Sequence, residues 1–127
     1  PHNYTRHCVA YTGTHDNDTV RGWWQKASAG ERAFAPVYLG RGDNEVHWAM
    51  IRACWNSVAN IAVAPFQDVL GLDSNHRMNI PGTMGNHNWS WRFRWDMVSS
   101  EPARMLGLIT AASGRGGSAQ SLMSKAA

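Results

Sequence analysis

At 127 residues, 43% of them hydrophobic and 17% charged, the chain has the size of one domain or a piece of one, too short for a complete large barrel. Its net charge of +3 comes mostly from arginines scattered between Arg6 and Arg115; without a basic run to track a phosphate backbone, nucleic-acid binding is disfavoured. Apolar runs fall short of the roughly 18 residues that a membrane helix needs, the start lacks a signal-peptide layout, and Cys8 and Cys54 have no CxxC spacing, which together point away from membranes and zinc ribbons and toward a reducing compartment.

Pro1 stands where a native chain has Met, and the approach to a strand follows at once, as expected of a fragment. The first element is "CVAYT" (8–12), a short β-prone run closed by Gly13, where the backbone turns. The polar residues His15, Asp16, Asn17 and Asp18 therefore lie just past a strand's C-terminal end. From Thr19, "TVRGWWQKAS" reads as a helical turn opened by an Asp or Thr cap, with a break at Gly30, and "FAPVYLGRGDN" reads as loop, with a short turn of helix as the alternative. In "EVHWAMIRACWNSVANI" the residues Val46, Met50, Ile51, Cys54, Val58 and Ile61 recur mostly at spacings of three and four, the signature of an amphipathic helix, with Asn44 as its expected N-cap.

Next, "IAVAPFQDVLGL" is an apolar run closed by Gln67, Asp68 and Gly71, which predicts a strand buried on both faces of a parallel sheet. A long polar loop leads to "SSEPARMLGLITAAS", a helix with Ser100 as cap and Pro102 in its first turn. The tail over 114–127 is rich in small and polar residues and is expected to be flexible. This alternation predicts an α/β architecture.

Ligands of parallel α/β proteins gather at the carboxyl ends of the strands, where loops converge. Both "THDND" and "QDVLGLDSNHRMN" follow a predicted strand and are expected on one face. A carboxylate there can serve as nucleophile, acid, base or fixed negative charge. For Asp18 a helix cap is the favoured reading, whereas Asp16 has no such structural explanation. His15, Asp16 and Asp18 are all metal-ligand types, but neighbours at a strand end seldom converge on one ion, so no metal is expected. Neither a G-x-S-x-G elbow nor a P-loop occurs. Seven tryptophans, three of them in "NWSWRFRW", either fill a core or stack on sugar rings.

Four segments, "YTGTHDNDT" with "GWW", "VHWAMIRACWNSVA", "PFQDVLGLDSNHRMNIPGT" and "NWSWR", occur in the order found in the amylomaltases, the 4-α-glucanotransferases of glycoside hydrolase family 77, and the chain closely resembles that family over residues 1–113. The resemblance implies the C-terminal portion of a (β/α)8 TIM barrel, its last two β/α units, with 1–113 belonging to the catalytic barrel. It also implies retaining transfer of α-1,4-glucan segments between maltooligosaccharides, without a cofactor, in the cytoplasm, or in a plastid if the source is a plant or alga. Asp16 matches the family's transition-state-stabilising aspartate, and His15 matches a histidine that contacts the donor sugar. Asn88 and Asp68 are implied as further substrate-binding residues, while Arg77 and Asn79 would hold the long loop in shape through backbone carbonyls. His87 stands where the family has glycine before its Asn-Trp pair. The nucleophile and the acid/base lie upstream, so the missing N-terminal part of the barrel is the expected partner and the piece alone is expected to be inactive. A small tryptophan-rich carbohydrate-binding or interaction module without catalysis is the alternative, and sugar binding by it requires two or three tryptophans in one accessible row.

Overall fold

The structure, a computed structural model, describes residues 1–116. It comprises β1 (Val9–Tyr11), α1 (Val20–Lys26), α2 (Ala29–Leu39), α3 (Val46–Trp55), β2 (Ile61–Val63), α4 (Phe66–Val69) and α5 (Ser100–Ala112), with 3₁₀ turns at Ser74–His76 and Trp95–Met97. The two strands pair in parallel, Val9 opposite Ile61, Ala10 opposite Ala62 and Tyr11 opposite Val63. A parallel pair needs a long crossover; here α1, α2 and α3 supply it.

The central element is α3. Cys54 on this helix joins Ala10 and Ala59 in one buried cluster, while Trp48 and Ile51 join Val69 and Ile109 in another. It thus connects the sheet to α4 and α5. At its start His47 packs beneath the turn at Gly71, whose φ is 64°. A Cβ there would stand 2.9 Å from His47 Nε2, so both the conformation and the space call for glycine.

Several expectations are corrected. The strands are not buried on both faces: Ala10 is 1% exposed, but Ile61 is 54% exposed and Val9, Tyr11 and Val63 are exposed too, because two strands leave the rest of the sheet uncovered. The second apolar run is also not one strand. It ends at Val63, and Pro65, which has no N–H to give a ladder, opens α4.

Helix α2 takes in residues 34–39 of the expected loop, and only 40–44 stay irregular. Ser28 and Glu31 form a capping box, so the break falls before Ala29 and Gly30 sits inside the helix, which runs past Pro36 to a left-handed Gly40. At α1 the cap is Thr19, whose Oγ1 accepts from Gly22 N at 3.0 Å, and not Asp18. At α3 the N-cap position is Glu45 rather than Asn44, with the preceding turn held by Asp43 Oδ1 accepting from Glu45 N at 3.0 Å. Ser100 is the first residue of α5, with Ser99 in the cap position. Of the tail expected over 114–127, residues 117–127 lie outside the described residues; just before them Arg115 is bonded to the turn between α3 and β2.

Candidate active site at the strand ends

Both strands deliver their following loops to one end of the molecule. Past β1, Asn17 Oδ1 accepts from Thr14 N at 2.8 Å and Asn17 N donates to Thr14 O at 3.1 Å, a side-chain-closed turn of the kind asparagine favours. The turn lifts His15 and Asp16 outward; their side chains are 53% and 50% exposed, and His15 Nε2 lies 3.4 Å from Asp16 Oδ1.

The loop after β2 reaches across to grip this turn. Arg77 donates from Nη2 to Asp16 O at 2.9 Å and from Nε to Asn79 O at 3.0 Å. Asn79 Nδ2 donates to Asp16 Oδ1 at 2.7 Å. So Arg77 binds backbone carbonyls as expected of a loop-shaping residue, whereas Asn79 binds the carboxylate itself. The spacing in sequence gave no sign of that bond.

Asp18 and Asp68 face inward. Asp18 Oδ2 accepts from Lys26 Nζ at 2.7 Å and from Ser74 Oγ at 2.8 Å, and Oδ1 accepts from Thr19 N at 2.9 Å. Burial pushes its carboxyl up, but the hydrogen bonds and charge from Lys26 and Ser74 outweigh this and hold it below the usual range. It ties α1 to the loop after β2, at a close approach that Gly22 permits.

Asp68 is 2% exposed. Its Oδ2 accepts from Thr12 Oγ1 at 2.7 Å and its Oδ1 from Val20 N at 2.8 Å, and burial pushes its carboxyl up despite those bonds. Asp68 thus braces the end of β1 against the start of α1. It lines a cavity of about 180 Å³ together with His15, Asp18, Gln67 and Arg77, yet both oxygens are engaged within the fold.

Asn88 closes its own loop. Its Oδ1 accepts from Ile80 N at 2.9 Å, and its Nδ2 donates to Thr83 O and Thr83 Oγ1, each at 3.0 Å. His87 Nε2 lies 3.1 Å from the same hydroxyl. The loop presents Trp89, which has a φ of 60°, an unusual backbone for a bulky residue. Trp89 N donates to Met78 O at 2.7 Å, and its ring stands 4.8 Å from that of His15. Nothing in the sequence signalled this strained position.

His15, Asp16, Asn79 and Trp89 therefore meet at the strand ends, with Asp18, Asp68 and Asn88 holding the loops behind them. Among the described residues no group of three His, Cys, Asp or Glu side chains converges as a metal site. A larger groove of about 1030 Å³ lies at the start of β2, but it is lined by no carboxylate or imidazole. The two exposed tryptophans belong to separate clusters, Trp89 with His15 and Trp95 with Phe93, and not to one row.

A family model described as 4-alpha-glucanotransferase, of glycoside hydrolase family 77, matches residues 1–98. A 4-alpha-glucanotransferase of Clostridium butyricum is 44% identical over 117 residues, covering 91% of this chain and 24% of the relative. A chloroplastic/amyloplastic 4-alpha-glucanotransferase of Solanum tuberosum is 50% identical over 93 residues, 72% of this chain and 16% of the relative. In three dimensions the chain is similar to amylomaltase from Streptococcus agalactiae in complex with acarbose, with a TM-score of 0.86 and 35% identity over 92% of this chain and 24% of that one. The chain spans about a quarter or less of the length of these relatives.

Proposed function

Because the chain belongs to glycoside hydrolase family 77, the 4-alpha-glucanotransferases, we propose that it is the C-terminal portion of a retaining enzyme that transfers α-1,4-glucan segments between maltooligosaccharides. In this reading β1 and β2 are the last two strands of a (β/α)8 barrel, and residues 1–113 belong to its catalytic domain. The remaining strands, the nucleophile and the acid/base come from the upstream polypeptide. No cofactor takes part, and the enzyme works in the cytoplasm, or in a plastid if the source is a plant or alga.

The observation that carries the proposal is the exposed His15–Asp16 pair at the carboxyl end of a parallel strand, with one Asp16 oxygen held by Asn79. In a retaining transfer an upstream carboxylate attacks the anomeric carbon while an upstream acid protonates the departing oxygen; the acceptor hydroxyl, giving its proton back to that same group, then displaces the enzyme carboxylate. Positive charge develops on the sugar ring in both steps. A fixed carboxylate facing that charge lowers both barriers, which is the role of Asp16, and His15 beside it hydrogen-bonds a sugar hydroxyl. Asn88 and Asp68 are the further sugar-binding residues of this reading: Asn88 closes the loop at the rim, and Asp68 lines the cavity beside His15.

The test begins with the intact mass of the native polypeptide and a maltotriose disproportionation assay on the same material. A longer chain that produces glucose and longer maltooligosaccharides, and loses roughly 100- to 1000-fold in kcat on Asp16→Asn, is the expected result. Full transfer activity in Asp16→Asn would remove Asp16 from the chemistry, and a native chain without transfer activity would sink the enzyme reading.

A further inference from the structure

We propose that Asn79 is a positioning residue that fixes the Asp16 carboxylate, so that the loop after β2 sets the electrostatics of a site carried by β1. The inference rests on the role given to Asp16 above and adds a residue to it. Asp16 is half-exposed on a turn, and its side chain has one hydrogen-bond donor among the described residues, Asn79 Nδ2 at 2.7 Å, with His15 Nε2 3.4 Å from the same oxygen. Its other carboxylate oxygen has no donor among the described residues. An amide nitrogen donates and cannot accept, so this contact also fixes which way the Asn79 amide lies.

The backbones of the two residues are locked by one further group. The Arg77 guanidinium, whose side chain is 20% exposed, bonds both Asp16 O and Asn79 O. Its planar fork holds the carbonyl of the anchored residue and the carbonyl of the anchor in a fixed relation. Without Asn79 the carboxylate would rotate about its side-chain torsions and average its field over several orientations. With Asn79 it is preorganised, and preorganised charge is what stabilises a transition state without reorganisation at the moment of reaction.

The experiment uses the intact native polypeptide, with kcat and KM measured on maltotriose. Asn79→Ala is expected to lower kcat about 10- to 100-fold, the worth of one charge-assisted hydrogen bond, while KM stays within about 3-fold. Asn79→Asp keeps the size and shape of the side chain but sets a second carboxylate against Asp16, and its kcat is expected to fall below that of Asn79→Ala. In an Asp16→Ala background the Asn79→Ala change should cost nothing further, since its effect runs through Asp16.

Wild-type kcat in Asn79→Asp, a loss confined to KM, or losses that multiply in the double variant would each overturn the proposal. The contact also has a readout that needs no turnover. In 15N-asparagine-labelled protein the Asn79 side-chain amide resonance should move on Asp16→Ala, and an unmoved resonance would overturn the contact whatever the enzyme does. If the wild type transfers no glucan, the functional reading fails alone and the amide resonance still decides the Asn79 contact.

Discussion

Asp16 and Asp68 carry the same functional group in opposite surroundings. Asp16 is half-exposed with one oxygen held, whereas Asp68 is sealed with both oxygens engaged. Burial pushes the Asp68 carboxyl above its ordinary value of 3.8. A raised folded-state value means that the native state binds the proton more tightly than the unfolded chain. The stabilising contribution of the protonated group is therefore complete below 3.8 and is lost as pH rises through the folded-state value. Asp68→Asn removes that titration. Its amide oxygen can still accept from Val20 N, and its NH₂ can donate to Thr12 Oγ1 once that hydroxyl turns. The stability of Asp68→Asn relative to wild type should hence improve from pH 4 to pH 7 in thermal melts. Asp68→Ala leaves the buried Val20 N–H without a partner and should cost about 1–3 kcal/mol. A constant difference between Asp68→Asn and wild type across that range would mean that the carboxylate is not strained by burial.

At the scale of elements, one side chain joins the end of α5 to the start of β2. Arg115 donates from Nε to Trp55 O at 2.7 Å and from Nη2 to Ser57 O and Ala59 O at 2.9 and 2.7 Å. These carbonyls belong to the end of α3 and the turn that follows, groups that a helix terminus leaves without intrahelical partners. Arg115→Ala should lower unfolding stability by about 2 kcal/mol, and Arg115→Lys should restore less than half of it, because an ammonium lacks the planar fork; chemical denaturation of the three proteins checks both. Helix α3 was legible from apolar spacings of three and four as far as Cys54, but Val58 and Ile61 of the same expected pattern lie past its end at Trp55 and are exposed; the apolar runs marked where β1 and β2 lie and not how far they are buried. Helix α2 was hidden by Gly30, Pro36 and Gly40, though Ser28 and Glu31 carried the capping signal that outweighed them. His15 and Asp16 could be placed because a strand end and a polar cluster coincide. The Asn79–Asp16 bond spans 63 positions, and Trp89 adopts its backbone through a bond to Met78, so neither leaves a local trace.

At the scale of the molecule, a two-stranded parallel sheet cannot cover itself. Parallel strands belong inside sheets clad on both faces, yet both strands here have a free edge, and Val9, Tyr11, Ile61 and Val63 are exposed. Beside β1, Tyr4, Tyr11, Phe34 and Tyr38 surround a cavity of about 270 Å³. Beside β2, Phe66 and Phe93 meet edge to face, with their ring centroids 5.3 Å apart, and both are exposed. Contiguous apolar surface flanking unpaired strand edges promotes association through either the edge or the face. The 127-residue chain alone should therefore sediment as a concentration-dependent mixture and bind a hydrophobic dye. A single Val63→Lys substitution, which puts charge on a free edge, should shift that mixture toward monomer while leaving the α3 core intact. If the upstream barrel segment is the natural cover, its co-expression should abolish dye binding and restore transfer activity together. A monodisperse, dye-free monomer whose state ignores both the lysine and the upstream segment would mean that this surface is stable in water on its own, and the barrel reading would lose its physical motive.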